Sequence, residues 1–270
     1  NKTPLVIAVT NQKGGVGKTT TTHNLGAALA DFHKKKVLMV DMDPQGNLSD
    51  SCGSGLQDDQ TRPTVYELIK EDSTVSFDET RVPLRKNLDL LPSNIRLAVA
   101  DMSFAHVFGR ESLLKNALAD LDYDVVLIDC PPSLGILTVN SLTAADFLLV
   151  PVQAEYHSMA GLRLMLDSVR KIRRQINPDL EVLGLLLTMY EEKKRLNKDV
   201  ADFLAETGES LFKTSIRRNI RLAEAPSHGL DIFQHDPKCP GALDYMELAK
   251  ETLKEIKARK AARQSAEGQI

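Results

Sequence analysis

The stretch Gln12-Lys13-Gly14-Gly15-Val16-Gly17-Lys18-Thr19 constrains this chain more than any other part of it. It lies between an apolar, β-branched run, Leu5 to Thr10, and an alanine-rich amphipathic pattern, Thr19 to Phe32. The order strand, loop, helix is therefore expected. Glycines in such a loop let successive backbone N–H groups turn inward around an anion, and the helix behind it offers unpaired N–H groups at its positive end. In that setting Lys18 reaches the outer phosphates of a nucleotide and Thr19 holds Mg²⁺. The simple pattern G-x-x-x-x-G-K-[ST] is not met, because Gln12 stands where its first glycine belongs. The variant K-G-G-x-G-K-[ST] is met, and it adds a second lysine, Lys13.

Further continuous apolar runs occur at Val37 to Val40, Leu88 to Leu91, Val125 to Ile128, Phe147 to Val152 and Val182 to Leu187, mostly with helical stretches between them. Runs without alternation indicate strands buried on both faces, and helical crossovers indicate an α/β fold whose mainly parallel, twisted sheet is flanked by helices. Helices are expected at Ser158 to Gln175, Asn197 to Glu206 and Leu243 to Lys260, and a loop at Gly53 to Pro63. No linker or repeat interrupts the sequence, so residues 1–264 are expected to form one domain, with 265–270 a frayed tail. Two runs end in carboxylates. Asp41-Met42-Asp43-Pro44-Gln45-Gly46-Asn47 places two of them at spacing i, i+2 where ligands sit in open α/β sheets, one near a metal and one able to orient a water. Val125-Val126-Leu127-Ile128-Asp129 has the form of a Walker B strand, with Asp129 holding the hydration shell of Mg²⁺ near Thr19.

Other chemistries are poorly served. No apolar run approaches the roughly 18 to 20 residues that span a bilayer, and the start of the sequence lacks a signal-peptide pattern, so a cytoplasmic location is expected. Cys52, Cys130 and Cys239 are far apart and form no CxxC pair, which suggests neither a disulfide framework, a zinc site nor an iron–sulfur carrier. Absence of tryptophan and 5% aromatic content count against a base-stacking platform.

These residues resemble the deviant Walker A ATPases, and among them the ParA/Soj partition ATPases. The resemblance rests on Thr10 to Thr22, Val40 to Asn47, Ile128-Asp-Cys-Pro-Pro132 and Ala223-Glu-Ala-Pro-Ser-His-Gly229, which together span most of the chain. It implies an ATP-dependent sandwich homodimer with the nucleotide held by Lys13, Gly14, Gly15, Val16, Gly17, Lys18, Thr19 and Thr20. Lys13 would contact the nucleotide of the opposite subunit. It further implies catalysis by Lys13, Lys18 and Asp43, the last orienting the attacking water. Thr19, Asp41 and Asp129 would lie at the metal, with Met189 and Pro226 near the adenine. Relatives of this kind bind double-stranded DNA without sequence preference as the ATP dimer, on the nucleoid, and a ParB-type adaptor stimulates hydrolysis and releases them. The alternatives are a MinD-like membrane-cycling ATPase and positioning of a protein cargo.

A formal charge of -3 taken alone opposes DNA binding, but it is an average. Residues 1–150 hold 14 basic and 19 acidic side chains, whereas 151–270 hold 20 basic and 18 acidic. Lys213 to Arg221 contains Lys213, Arg217, Arg218 and Arg221 and no acid, which makes these four candidate DNA-phosphate contacts. The segment after Met189 reads Tyr190-Glu-Glu-Lys-Lys-Arg-Leu196, where Lys193, Lys194 or Arg195 could serve the same end. Arg170 to Arg174 reads as a solvated helix face or a further phosphate contact. After Leu253 and Ile256 the last helix offers mainly alanine, lysine and arginine, too weakly apolar for a membrane anchor, so membrane binding is not expected.

Overall fold

The computed structural model describes residues 3–53, 61–153, 158–191, 202–203 and 206–267. The strands are β1 (Leu5–Val9), β2 (Val37–Asp41), β3 (Val82–Arg85), β4 (Leu88–Leu91), β5 (Val125–Asp129), β6 (Phe147–Val152) and β7 (Glu181–Leu187). They form one sheet in the order β3-β4-β2-β5-β1-β6-β7, parallel throughout except for β3 against β4. In β1, β2, β4, β5 and β6 every residue is buried, which is why these segments read as apolar runs interrupted only by Asp89 and by the terminal Asp41 and Asp129. Successive side chains enter opposite cores. Val6, Ala8, Leu38, Val40, Val126 and Ile128 belong to one, and Ile7, Val9, Val37, Met39, Val125 and Leu127 to the other.

The helices are α1 (Lys18–His33), α2 (Asn47–Ser51), α3 (Val65–Ile69), α4 (Phe77–Thr80), α5 (Ala100–Ser103), α6 (Leu113–Ala117), α7 (Ile136–Ala144), α8 (Ser158–Gln175), α9 (Ile220–Glu224), α10 (Ile232–His235) and α11 (Pro240–Glu267). Leu25, Ala28 and Leu29 of α1 and Tyr245, Leu248 and Ala249 of α11 fill the second core, while Leu137 and Leu142 of α7 and Leu162, Met165 and Val169 of α8 fill the first. The approach of α1 to the sheet depends on Gly26, where a Cβ would stand 2.7 Å from Met39 Sδ.

Each expected strand is present, with ends shifted by at most a residue. The shifts matter at β2 and β5, where Asp41 and Asp129 become the last strand residues and pair in register. The sequence pattern does not predict β3, a four-residue edge strand containing Pro83, whose ring removes a ladder donor and is tolerated only at such an edge. The final helix starts at Pro240 and continues to Glu267, beyond the expected Lys260. Its basic side chains turn back onto the sheet: Arg259 donates to Leu183 O at 2.9 Å, and Arg263 donates to Asp179 O at 2.7 Å. Both also pair with Glu181. Most of the expected helix at Asn197 to Glu206 lies outside the described residues, although Asp202, Phe203 and Glu206 are helical.

Candidate nucleotide site and basic face

The parallel strands bring the ends of β1, β2, β5 and β6 to one edge, and the loop of residues 10–17 lies across it. Gly15 and Gly17 have φ of +72° and +88°, a region that only glycine enters without strain. The loop is fastened on both sides. Asn11 Nδ2 donates to Pro151 O at 2.8 Å while its Oδ1 accepts from Lys13 N at 3.0 Å. On the far side the buried Thr188 hydroxyl donates to Val16 O at 2.8 Å.

Lys18 is buried and its Nζ donates to Lys13 O at 3.1 Å, so the ammonium is folded into the loop's own mouth. Burial lowers its pKa, opposed by the nearby carboxylates of Asp129 and Asp43. A desolvated cation held in place interacts strongly with an arriving anion, since little water remains to be displaced. Lys13 points outward, its Nζ donating to Gln153 Oε1 at 3.2 Å.

Below the loop, Thr19 Oγ1 donates to Asp129 Oδ2 at 2.7 Å. Asp129 Oδ1 is buried and has no hydrogen-bond partner among the described residues. Burial raises the Asp129 pKa well above the carboxylate range, and the charge of Asp41 across the ladder adds to the effect. A hydroxyl beside a buried carboxylate with an orphaned oxygen fits a hard divalent cation such as Mg²⁺, which takes oxygen donors and relieves the carboxylate's unfavourable charge.

Asp41 is held differently. It accepts from Asp43 N at 3.1 Å, Ser49 N at 2.9 Å and Ser49 Oγ at 2.7 Å, and Ser49 Oγ in turn accepts from Ser93 N at 2.9 Å. Burial raises its pKa to about 7 despite those donors. With three hydrogen bonds already made, Asp41 is held by the protein itself beside Asp129, and it ties β2, α2 and the segment after β4 together. Asp43 has 8% exposure, accepts from Gln45 N at 3.0 Å in the turn that leads to Gly46, and lies close enough to Lys18 for its charge to act on the ammonium.

Met189 and Pro226 do not share a recess. Met189 lines a cleft of about 390 Å³ with Gly17, Thr20, Ile216, Ile220, Leu222 and Tyr245. Pro226 lines another of about 370 Å³, with Thr20, His23, Asn47 and Ser227. Thr20 borders both, so the two residues expected near the adenine stand on different sides of it.

The stretch Lys213 to Arg221 is free of acid in sequence but not in space. Arg217 makes a bidentate pair with Asp244, Nη2 to Oδ1 at 2.7 Å and Nε to Oδ2 at 3.1 Å. Arg218 pairs with Glu191 at 3.1 Å, and Arg221 with Glu224 at 2.9 Å and Asp236 at 3.6 Å. Glu251 accepts from the backbone of Lys213 and Thr214 at 2.7 and 2.8 Å. Lys213, Lys250 and Lys254 line one groove along α11. Lys193, Lys194 and Arg195 lie outside the described residues. On α8, Leu162, Met165, Val169 and Ile172 are buried and Arg170 pairs with Asp167, while Arg170, Lys171, Arg173 and Arg174 are exposed on the solvated face.

Sequence reasoning does not single out Ser49, Ser93, Thr188 or Gln153. Gln153 and Thr188 directly follow β6 and β7, and position at a carboxyl strand end is the one signal available for them.

Comparison with known proteins finds a family and similar chains. Residues 5–182 match the AAA domain family. The sporulation initiation inhibitor protein Soj of Bacillus subtilis is 45% identical over 91% of this chain and 97% of its own length. The chromosome partitioning protein ParA of Caulobacter vibrioides is 40% identical over 95% of this chain and 96% of its own. Among solved structures, the cobyrinic acid a,c-diamide synthase of Mycobacterium smegmatis with bound ADP and magnesium is similar, with 38% identity, a TM-score of 0.80, and coverage of 94% of this chain and 96% of that one. A P-loop with two lysines on a mainly parallel sheet, and relatives of this identity over nearly the whole chain, place it in the ParA/Soj family of partition ATPases.

Proposed function

We propose that the chain is a DNA-partition switch. Its ATP-bound form pairs as a sandwich dimer, binds double-stranded DNA without sequence preference, and lets go when a ParB-type adaptor stimulates hydrolysis. It would act in the cytoplasm, on the nucleoid. The observation that carries this reading is the arrangement of two lysines on one loop, Lys18 folded inward above the Thr19–Asp129 pair and Lys13 turned outward at the rim.

In this reading the backbone of Gly14 to Gly17 and the Thr20 end of α1 receive the phosphates, and Lys18 sets a fixed positive charge at the outer two. Thr19 and Asp129 hold Mg²⁺, with Asp41 buttressing them, as the bound ADP and magnesium in the Mycobacterium smegmatis relative support. Mg²⁺ supplies neutralisation of the phosphate oxygens. Asp43 orients the water. Lys13 reaches the nucleotide of the second subunit, so that closure gains contacts only when both sites are loaded. The base lies in the cleft beside Met189, whose walls carry Ile216, Ile220 and Leu222.

DNA contacts fall to Lys213, Arg218 and Arg221, with Lys250 and Lys254 along the groove. Exposed ion pairs are worth little, so Arg218 and Arg221 exchange a carboxylate for a phosphate at small cost. Arg217, half-buried and bidentate on Asp244, serves to fasten its loop to α11. A MinD-like membrane anchor finds no support in the last helix, because Ile256 is buried and Leu253 packs against the same core.

The test is phosphate release with and without duplex DNA and the adaptor, for wild type, Lys18→Ala and Asp43→Ala. Slow turnover by wild type, raised by DNA and adaptor together and lost in both variants, is expected. An Asp43→Ala protein that turns over normally removes that residue from its role, and turnover indifferent to DNA and adaptor overturns the switch.

A further inference from the structure

Gln153, the first residue after β6, touches three parts of the nucleotide site with one side-chain amide. Its Oε1 accepts from Lys13 Nζ at 3.2 Å, and its Nε2 donates to Gly15 O at 3.2 Å and also contacts Met189 Sδ. Met189 forms a wall of the base cleft and holds a φ of +51°, unusual for a residue with a side chain. The backbone of Lys13 is pinned independently, through Asn11, to Pro151 two residues before Gln153. Movement of the Lys13 ammonium is thus a matter of its side chain, and Gln153 is one of the groups that hold it.

We propose that Gln153 is a positioning residue that parks Lys13 against its own subunit and ties its release to occupation of the cleft beside Met189. The proposal rests on the reading of Lys13 as a cross-subunit residue. A ligand seated against Met189 displaces the sulfur from the Gln153 amide. An amide that follows the sulfur leaves Gly15 O as well and gives up the Lys13 bond, because its oxygen and nitrogen ends are rigidly linked. Lys13 is then released toward the second subunit only when the first is loaded. An amide accepting from an ammonium holds it by roughly a factor of ten in population, enough to bias dimerisation without preventing it.

The experiment is sedimentation velocity of the full chain with Mg²⁺ and a non-hydrolysable ATP analogue, comparing wild type, Gln153→Ala and Gln153→Glu across protein concentrations. Gln153 is partly exposed, and thermal midpoints confirm that the variants remain folded. Gln153→Ala removes the Gln153 share of the hold on Lys13, so the concentration for half-dimerisation falls about three- to tenfold. Gln153→Glu replaces the neutral acceptor with a carboxylate, so that concentration rises by a similar factor. Opposite signs are required: both variants shifting the same way, as a merely structural role would produce, or neither shifting while wild type dimerises, overturns the proposal. A wild type that stays monomeric, or a Lys13→Ala protein that dimerises as well as wild type, refutes the underlying reading of Lys13 and this proposal with it.

Discussion

Replacing Asp129 by Asn should stabilise the nucleotide-free protein while abolishing its response to Mg²⁺ and ATP. Asp129 and Asp41 are buried and paired in register, and the charge of Asp41 adds to the rise in the Asp129 pKa. Asp41 alone moves from 3.8 to about 7, and each pKa unit corresponds to about 1.4 kcal/mol, so holding its charge at pH 8 costs on the order of 4 kcal/mol. Most of that is desolvation, which the substitution leaves in place. Removing the neighbouring charge relieves the smaller repulsive part and the burial cost of Asp129 itself, less the need to satisfy a new amide, for a net gain of about 1–2 kcal/mol. For a domain of this size that is a rise of roughly 3–6 °C in thermal midpoint. Asn retains an acceptor for the Thr19 hydroxyl but offers a cation no charge. Wild type at Mg-ATP one hundred times its Kd should gain about 2.7 kcal/mol, and the variant almost none. Differential scanning calorimetry in EDTA, then in Mg-ATP, reads both quantities. A variant that melts lower than wild type in EDTA yet keeps the full Mg-ATP shift refutes the argument.

Ser49→Ala removes the hydroxyl that donates to Asp41 and accepts from Ser93 N. It leaves a buried N–H unsatisfied, and urea titration should show a loss of about 2–3 kcal/mol; a loss below about 0.5 kcal/mol removes Ser49 from the buttress. His23 has 4% exposure and burial lowers its pKa to about 4, below the unfolded value near 6.5. The unfolded chain therefore binds the additional proton between those values, and the contribution of His23 to stability is present above about pH 6.5 and lost as pH falls toward about 4. His23→Gln should flatten that part of the stability profile, and an unchanged profile would show that His23 does not set it. Arg218→Ala and Lys213→Ala should each weaken binding of the ATP-loaded protein to random duplexes of different sequence alike, and lower the slope of log affinity against log salt by about one for each phosphate no longer engaged. Weakening for one sequence only, measured by fluorescence anisotropy, would contradict backbone binding.

The phosphate loop and both strand-end carboxylates were legible in the sequence because each is a local pattern: glycines at fixed spacing, a short apolar run and an aspartate. So were the buried strands, whose apolar runs, broken internally only by Asp89, report burial on two faces. What escaped depends on partners distant in sequence. Gln153 meets Lys13 across 140 positions, and Asn11 meets Pro151 across the same distance. Ser49 is one small polar residue among many until Ser93 is folded against it. The basic stretch at Lys213 to Arg221 shows the same limit in reverse, since the carboxylates that neutralise it come from α11, from Glu191 and from Asp236. β3 escaped because four residues with a proline carry no usable periodicity.

Central to the proposed switch is the closure by ATP of two copies of this chain through Lys13. Light scattering of the Asp43→Ala protein with Mg-ATP, with Mg-ADP and without nucleotide tests that directly, because hydrolysis cannot then erase the loaded state. A dimer mass with ATP alone, reverting to monomer when the Lys13→Ala substitution is added, is the predicted result. Monomers under all three conditions, or a dimer indifferent to nucleotide and to Lys13, would contradict it.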